Sequence, residues 1–257
     1  MTESFFLPLG DGRWRATQHT TGPWDERFQH GGPPSALLGG VVEKLRPRDD
    51  VMVARMTVEI LGPIPVGDLE VKADVVRPGR RVELVEAVLS ADGRAVARAR
   101  AWRVLRTDAS PVPSQHRQAP PLPERARGVE AGGWIDGYLS AIEWRFDRGH
   151  FTERGPAAAW ARTRVTVVPD EPLSPLQRVL VVADSGSGIS SELDLRRWLF
   201  INPELTVHLH REPVGEWICV DASTTISPGG VGLATSVLSD VEGPVGVGAQ
   251  TLLVARR

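Results

Sequence analysis

Asp184, Gln250, Asn202 and His30 are the residues of this 257-residue chain whose types and settings invite chemistry. A carboxylate can orient or deprotonate a water, and amide side chains or backbone N–H groups can stabilise an oxyanion. Asp184 follows the apolar run Val179-Leu180-Val181-Val182-Ala183, at the C-terminal end of an expected helix. That end is the negative pole of the helix dipole, so nothing local rewards a negative charge there. The placement hints at function; the competing reading is a turn aspartate bonded to the backbone of Ser185-Gly186. Gln250 shares a strand face with Gly246, Gly248, Leu252 and Val254 by the two-residue period. An amide beside glycines leaves room for a ligand; the competing reading is a solvated or edge-facing amide. Asn202 precedes Pro203 and reads first as a cap or turn residue. His30 opens the loop His30-Gly31-Gly32-Pro33-Pro34 as either a base or a plain loop histidine. Backbone amides at Gly31 and Gly32 can approach a carbonyl closely because no side chain intervenes.

Other chemistries find little support. The single cysteine, Cys219, sits in an apolar strand pattern and reads as a packed core thiol, with no partner for a disulfide. No His, Asp or Glu spacing marks a metal site, and no Gly-x-Ser-x-Gly elbow is present. The glycines around 186–188 and 229–230 lack the strand–turn–helix setting of a phosphate loop. A net charge of −2 gives no reason to expect nucleic acid or an anionic membrane as partner. There is no apolar run long enough to span a bilayer. The first residues lack a basic segment followed by an apolar core, so no signal peptide is expected, and a reducing cytoplasm fits best.

These residues are positioned by a unit used twice. Thr57-Val58-Glu59-Ile60-Leu61 leads to Pro65-Val66-Gly67-Asp68, and Thr206-Val207-His208-Leu209-His210 leads to Pro213-Val214-Gly215-Glu216. The copies close through Asp92-Gly93 and Glu242-Gly243, and the comparison sets Arg100 in the first against Gln250 in the second. A duplication this long constrains the fold before any motif does. In the first copy the patterns predict a strand over 14–17 and a helix through Leu37, Leu38, Val41, Val42 and Leu45, ended by Arg46-Pro47. Strands over 53–61, 68–77, 80–90 and 94–105 follow, with Pro78-Gly79 and Asp92-Gly93 as turns. In the second, strands near 142–146 and 159–165 precede a helix capped by Ser174 with Pro175 in its first turn. A connection over 189–200 then leads to strands over 206–210, 216–225, 230–238 and 245–255. Between the copies, Pro111, Pro113, Pro120, Pro121 and Pro123 mark a surface linker. The expected division is a first unit over 1–107, a linker over 108–133 and a second unit over 134–257.

Each unit is a strand, a helix and about four antiparallel strands, an α+β arrangement in which a long curved sheet wraps a central helix. Two side by side make a double hotdog. With that order and those motifs, the chain resembles the double-hotdog acyl-CoA thioesterases, similar to bacterial acyl-CoA thioesterase II and related actinobacterial-type proteins. Four passages carry the resemblance: His30-Gly31-Gly32-Pro33-Pro34, Ala183-Asp184, Asn202 through His210-Arg211-Glu212-Pro213, and Ala249-Gln250. It spans roughly 14–105 and 140–257.

The resemblance implies an aspartate, a hydroxyl residue and a glutamine that orient or activate a water for attack on a thioester. By position these roles fall on Asp184, Asn202 and Gln250. Asn202 departs from the hydroxyl, since an amide can hold a water but cannot relay a proton; Thr206 and Ser185 are the nearby hydroxyls. His30, Gly31, Gly32 and Arg100 are the expected substrate-binding residues, Arg100 toward a CoA phosphate. Glu43 corresponds roughly to Asp184, so the first unit is a candidate for a second, degenerate site. An acyl-CoA substrate, no cofactor or metal, and a homo-oligomer built as a dimer of double hotdogs are expected. The alternatives are a non-catalytic acyl-CoA or acyl-carrier binding protein, and a hotdog hydratase or dehydratase.

Overall fold

The computed structural model describes residues 3–108, 118–124 and 136–257. The first half comprises β1 (Phe6–Gly10), β2 (Arg13–Ala16), α1 (Gly32–Lys44), β3 (Val51–Ile60), β4 (Asp68–Arg77), β5 (Val82–Ala91) and β6 (Arg94–Leu105). The second begins with β7 (Ile142–Arg148), β8 (Ala157–Thr163), α2 (Pro175–Ala183) and α3 (Gly186–Ile189). It continues through β9 (Trp198–Ile201), β10 (Glu204–Leu209), β11 (Ile218–Ile226), β12 (Val231–Asp240) and β13 (Gly243–Arg256). All strands join one antiparallel sheet in the order β1-β2-β4-β5-β6-β3-β10-β13-β12-β11-β8-β7, with β9 added beside β13. The double hotdog expected from the repeat is present.

Local chemistry explains most boundaries. Asp92 and Gly93 both have positive φ, 49° and 74°, the backbone of a tight hairpin turn between β5 and β6. Ser174 caps α2: its Oγ accepts from Gln177 N, while Ser174 N donates to Gln177 Oε1. The segment expected as a plain connection over 189–200 instead contains the end of α3 and most of β9. The run Ser185-Gly186-Ser187-Gly188 reads as a helix stop, yet Ile189 N donates to Ser185 O and Ser190 Oγ to Gly186 O, closing one more turn. β9 exists because it pairs with the far end of β13, a long-range partner that no local pattern encodes.

The two halves meet where β3 pairs with β10. Thr57 stands opposite Thr206, their hydroxyl oxygens 3.1 Å apart, so the first residue of each repeated motif lies on the pseudo-twofold seam. That register corrects the pairing of Arg100 with Gln250. Thr57 is also opposite Arg100, and Thr206 opposite Ala249. Arg100 therefore corresponds to Ala249, and Gln250 to Ala101. A slip of one residue exchanges the faces of a strand. Arg100 points outward and donates from Nε to Glu86 Oε2 at 2.8 Å, whereas Gln250 and Ala101 point inward and are buried.

The helices pack against each other in opposite directions, with Gly31 beside Asp184 and Gly40 beside Gln177. Leu37, Leu38 and Val42 of α1 and Val179, Leu180 and Val182 of α2 are buried against inward residues such as Val85, Leu89, Ala99 and Val220. A helix enclosed on most sides is apolar on most sides, as both sequences are. Of the Pro-rich segment, the described residues lie on the second half: Trp160 Nε1 donates to Pro121 O at 3.0 Å and Arg145 Nη1 to Pro123 O at 3.1 Å. Pro111 and Pro113 lie outside the described residues.

Arg103 is buried beneath the C-terminus of α1. It donates to the carbonyls of Leu45 and Arg46 and to Glu83 Oε2, and also contacts Val42 O. Replacing it with leucine leaves the helix-end carbonyls and Glu83 without their cation. Arg103→Leu should destabilise the fold by about 3–5 kcal/mol in denaturant titration, and Arg103→Leu combined with Glu83→Leu by less.

Candidate active site

Asp184 stands between α2 and α3, 5% exposed. Asn202, between β9 and β10, donates from Nδ2 to Asp184 Oδ1 at 2.8 Å. Gln250, inward on β13, donates from Nε2 to the same oxygen at 3.0 Å and to Asp184 O at 2.9 Å. Gln250 is itself held by Ser187 N, which donates to its Oε1 at 3.0 Å. The structure thus brings Asp184, Asn202 and Gln250 into direct contact. The cap reading of Asn202 is also visible, since Nδ2 donates to Glu204 O at 3.1 Å.

Gly31 shows why a glycine precedes α1 here. A Cβ at this position would lie 2.6 Å from Asp184 Oδ2, inside any permitted contact. Its backbone instead helps to hold the carboxylate's charge. Burial pushes the Asp184 carboxyl up to about 7, against the opposing pull of Asn202, Gln250 and Gly31. His30 Nδ1 is 3.4 Å from Asp184 Oδ2. This contact is not an ion pair: burial holds the imidazole neutral, its pKa down to about 3, so between about 3 and about 7 both groups are uncharged.

His30 Nδ1 accepts from Gly32 N at 3.0 Å. The amide of Gly32 is therefore occupied within the protein, where the sequence suggested it would approach a carbonyl. Tyr138 stacks on His30 with ring centroids 3.8 Å apart and planes at 5°. Its hydroxyl lies 2.8 Å from both Val181 O and Ser185 Oγ. Ser185 is engaged there, and Thr206 on the seam with Thr57 and Glu204, so neither hydroxyl reaches Asp184.

A cavity of about 710 Å³ opens onto this cluster. Asp184, His30, Gly31 and Asn202 line it, with Trp24, Phe28, Ile64, Leu193, Leu195 and Phe200 among its apolar walls and Arg154 and Arg196 among its charged residues. Arg100 is not in the wall; it is paired with Glu86 on the outer face of the sheet. In the first half, Glu43 follows Pro34 at the spacing with which Asp184 follows Pro175. Glu43 accepts from Ser174 Oγ at 2.6 Å, and Ala101 stands where Gln250 would be. Among the described residues no group of three or more His, Cys, Asp and Glu is placed to hold a metal, and no helix is long and apolar enough to cross a membrane.

Residues 20–104 match the family model of the acyl-CoA thioesterase N-terminal domain, and residues 113–254 that of the acyl-CoA thioesterase C-terminal domain. The chain belongs to the acyl-CoA thioesterase family. Among solved structures, it is similar to a protein from Thermobifida fusca named as a candidate thioesterase II, at 19% identity over 100% of this chain and 98% of that one, TM-score 0.77. A candidate thioesterase from Novosphingobium aromaticivorans gives 20% identity over 97% and 98%, TM-score 0.73. An acyl-CoA thioesterase II from Mycobacterium marinum gives 14% over 98% and 95%, TM-score 0.69. At such identities the likeness establishes the fold. No curated protein matches the chain.

For this acyl-CoA thioesterase family member, sequence reasoning missed Tyr138 and Ser187. Tyr138 is the only tyrosine of the chain and belongs to no motif. Ser187 sits in what looked like a turn. The raised Asp184 carboxyl has a consequence for stability. Between 3.8 and about 7 the folded chain holds a proton that the unfolded chain has released. The contribution of Asp184 to stability therefore falls as pH rises through that window, by at most about 1.4 kcal/mol per pH unit. Asp184→Asn removes the titration. Urea unfolding of both proteins from pH 5 to pH 8 should show the wild type losing stability relative to the variant.

Proposed function

We propose that this chain hydrolyses an acyl-CoA thioester to the free acid and CoA, with Asp184 as the base. The supporting observation is the carboxylate itself, buried at the wall of an open cavity with one oxygen pinned by two amides. Asn202 and Gln250 saturate Oδ1 and fix its plane, which leaves Oδ2 to take a proton from water. The hydroxide attacks the carbonyl carbon, a tetrahedral intermediate forms, and the C–S bond breaks as the thiolate recovers the proton from Asp184. Asn202 then serves to orient, a task an amide can perform without the proton relay of a hydroxyl. The apolar walls around Trp24, Leu193 and Phe200 suit an acyl chain.

The same proposal includes the division into units over 1–107 and 134–257 joined by 108–133, a dimer of double hotdogs, and a cytoplasmic location. Cys219 is buried and burial pushes its thiol well above the ordinary range, so it plays no part in the chemistry.

Free-thiol release across a panel of acyl-CoA chain lengths tests the reading. The wild type should turn over at least one of them. Asp184→Asn should abolish turnover while retaining the fold, and Asn202→Ala and Gln250→Ala should each lower kcat by about a hundredfold or more. Saturable acyl-CoA binding without thiol release would instead indicate a binding protein. Because the base works in its ionised form, kcat/KM should rise with pH to a plateau, with a midpoint near the Asp184 value of about 7. A flat profile from pH 5 to pH 8 would count against Asp184 as the base.

A further inference from the structure

The hydrogens around Asp184 are nearly all committed. The two on Asn202 Nδ2 go to Asp184 Oδ1 and Glu204 O. The two on Gln250 Nε2 go to Asp184 O and Oδ1. Gly32 N–H goes to His30 Nδ1 and Ser187 N–H to Gln250 Oε1, while the Gly31 backbone helps to lower the Asp184 pKa. A carbonyl oxygen brought beside Asp184 meets no spare side-chain amide in this ring, yet its developing charge requires a donor.

His30 is placed to be that donor. Its Nδ1 receives the Gly32 N–H, so in the neutral ring the proton resides on Nε2. Nε2 has no partner among the described residues and is not sealed from solvent, and the residue lines the cavity. A neutral donor also suits its neighbour. An imidazolium 3.4 Å from Asp184 would bind the carboxylate and weaken it as a base. The ring cannot turn freely, because Tyr138 covers one face in a parallel stack. Tyr138 is anchored in turn by its hydroxyl at Val181 O and Ser185 Oγ, next to Asp184. It therefore ties the orientation of His30 to the end of the helix that carries the carboxylate.

We infer that His30 is a catalytic residue that donates from Nε2–H to the thioester oxygen as its charge develops, and that Tyr138 is the positioning residue that holds it there. This rests on the thioesterase reading above. No proton leaves His30 in the step: the hydrogen bond shortens as the oxyanion forms and relaxes when the C–S bond breaks.

Two measurements test it. In the 15N-histidine-labelled wild type, the ring nitrogens of His30 should show a single neutral Nε2–H tautomer from pH 5.5 to pH 8. An Nδ1–H tautomer, or titration within that range, would overturn the assignment without any variant having to fold. In thiol-release kinetics, His30→Ala should lower kcat by about a hundred- to a thousandfold with little change in KM. Tyr138→Leu should lower kcat, Tyr138→Phe, which keeps the stack, should largely restore it, and His30→Ala with Tyr138→Leu should be no worse than His30→Ala alone. Undiminished kcat in a folded His30→Ala, or losses that multiply in the double variant, would sink the proposal. A wild type that releases thiol from no acyl-CoA overturns the thioesterase reading itself, an outcome distinct from a working wild type whose His30→Ala variant keeps pace.

Discussion

Keeping a carboxylate out of water raises the free energy of its charged form, and the surroundings of Asp184 are arranged around that cost. Two amides and the Gly31 backbone lower it, and burial still prevails, so the carboxyl titrates near neutrality instead of near pH 4. The balance is useful to a base, which needs both a proton-free state and an appetite for protons. It also explains the glycine at position 31, since the carboxylate occupies the volume of a side chain. Asn202 comes from beside β9 and Gln250 from the strand β9 pairs with, so the added strand brings the second amide to the helix end.

The pseudo-twofold that runs past Thr57 and Thr206 relates this cluster to a counterpart that has diverged. Glu43 matches Asp184, but its carboxylate accepts from the helix-capping Ser174. Ala101 cannot supply an amide, and nearby Arg103 instead binds the carbonyls at the end of α1. One end of the helix pair is stabilised by a cap and a buried cation; the other is left with a costly carboxylate beside an open cavity.

Much of this was legible in the chain. The repeat gave two units, the apolar helices gave an enclosed centre, and the two-residue period set Gln250 facing inward with Leu252 and Val254. What failed did so for physical reasons. Aligning Arg100 with Gln250 was wrong by one residue, and in a strand one residue is the whole difference between core and solvent. β9 and α3 depend on distant partners, and Tyr138 acts through a stack across more than a hundred residues of chain. The open Nε2 of His30 has no signature in the sequence, because it depends on which groups the fold has already engaged.

The two halves, paired through β3 and β10, are also one polypeptide chain, and that has an evolutionary consequence. In an assembly of identical subunits every substitution appears at both symmetry-related positions, so a site cannot be lost on one side and kept on the other. Joined in one gene, the halves are free to drift apart: the partner of Asp184 could become Glu43, and the partner of Gln250 could become Ala101, without touching the surviving cluster. The seam holds the two halves in register, and the single chain is what allows them to differ.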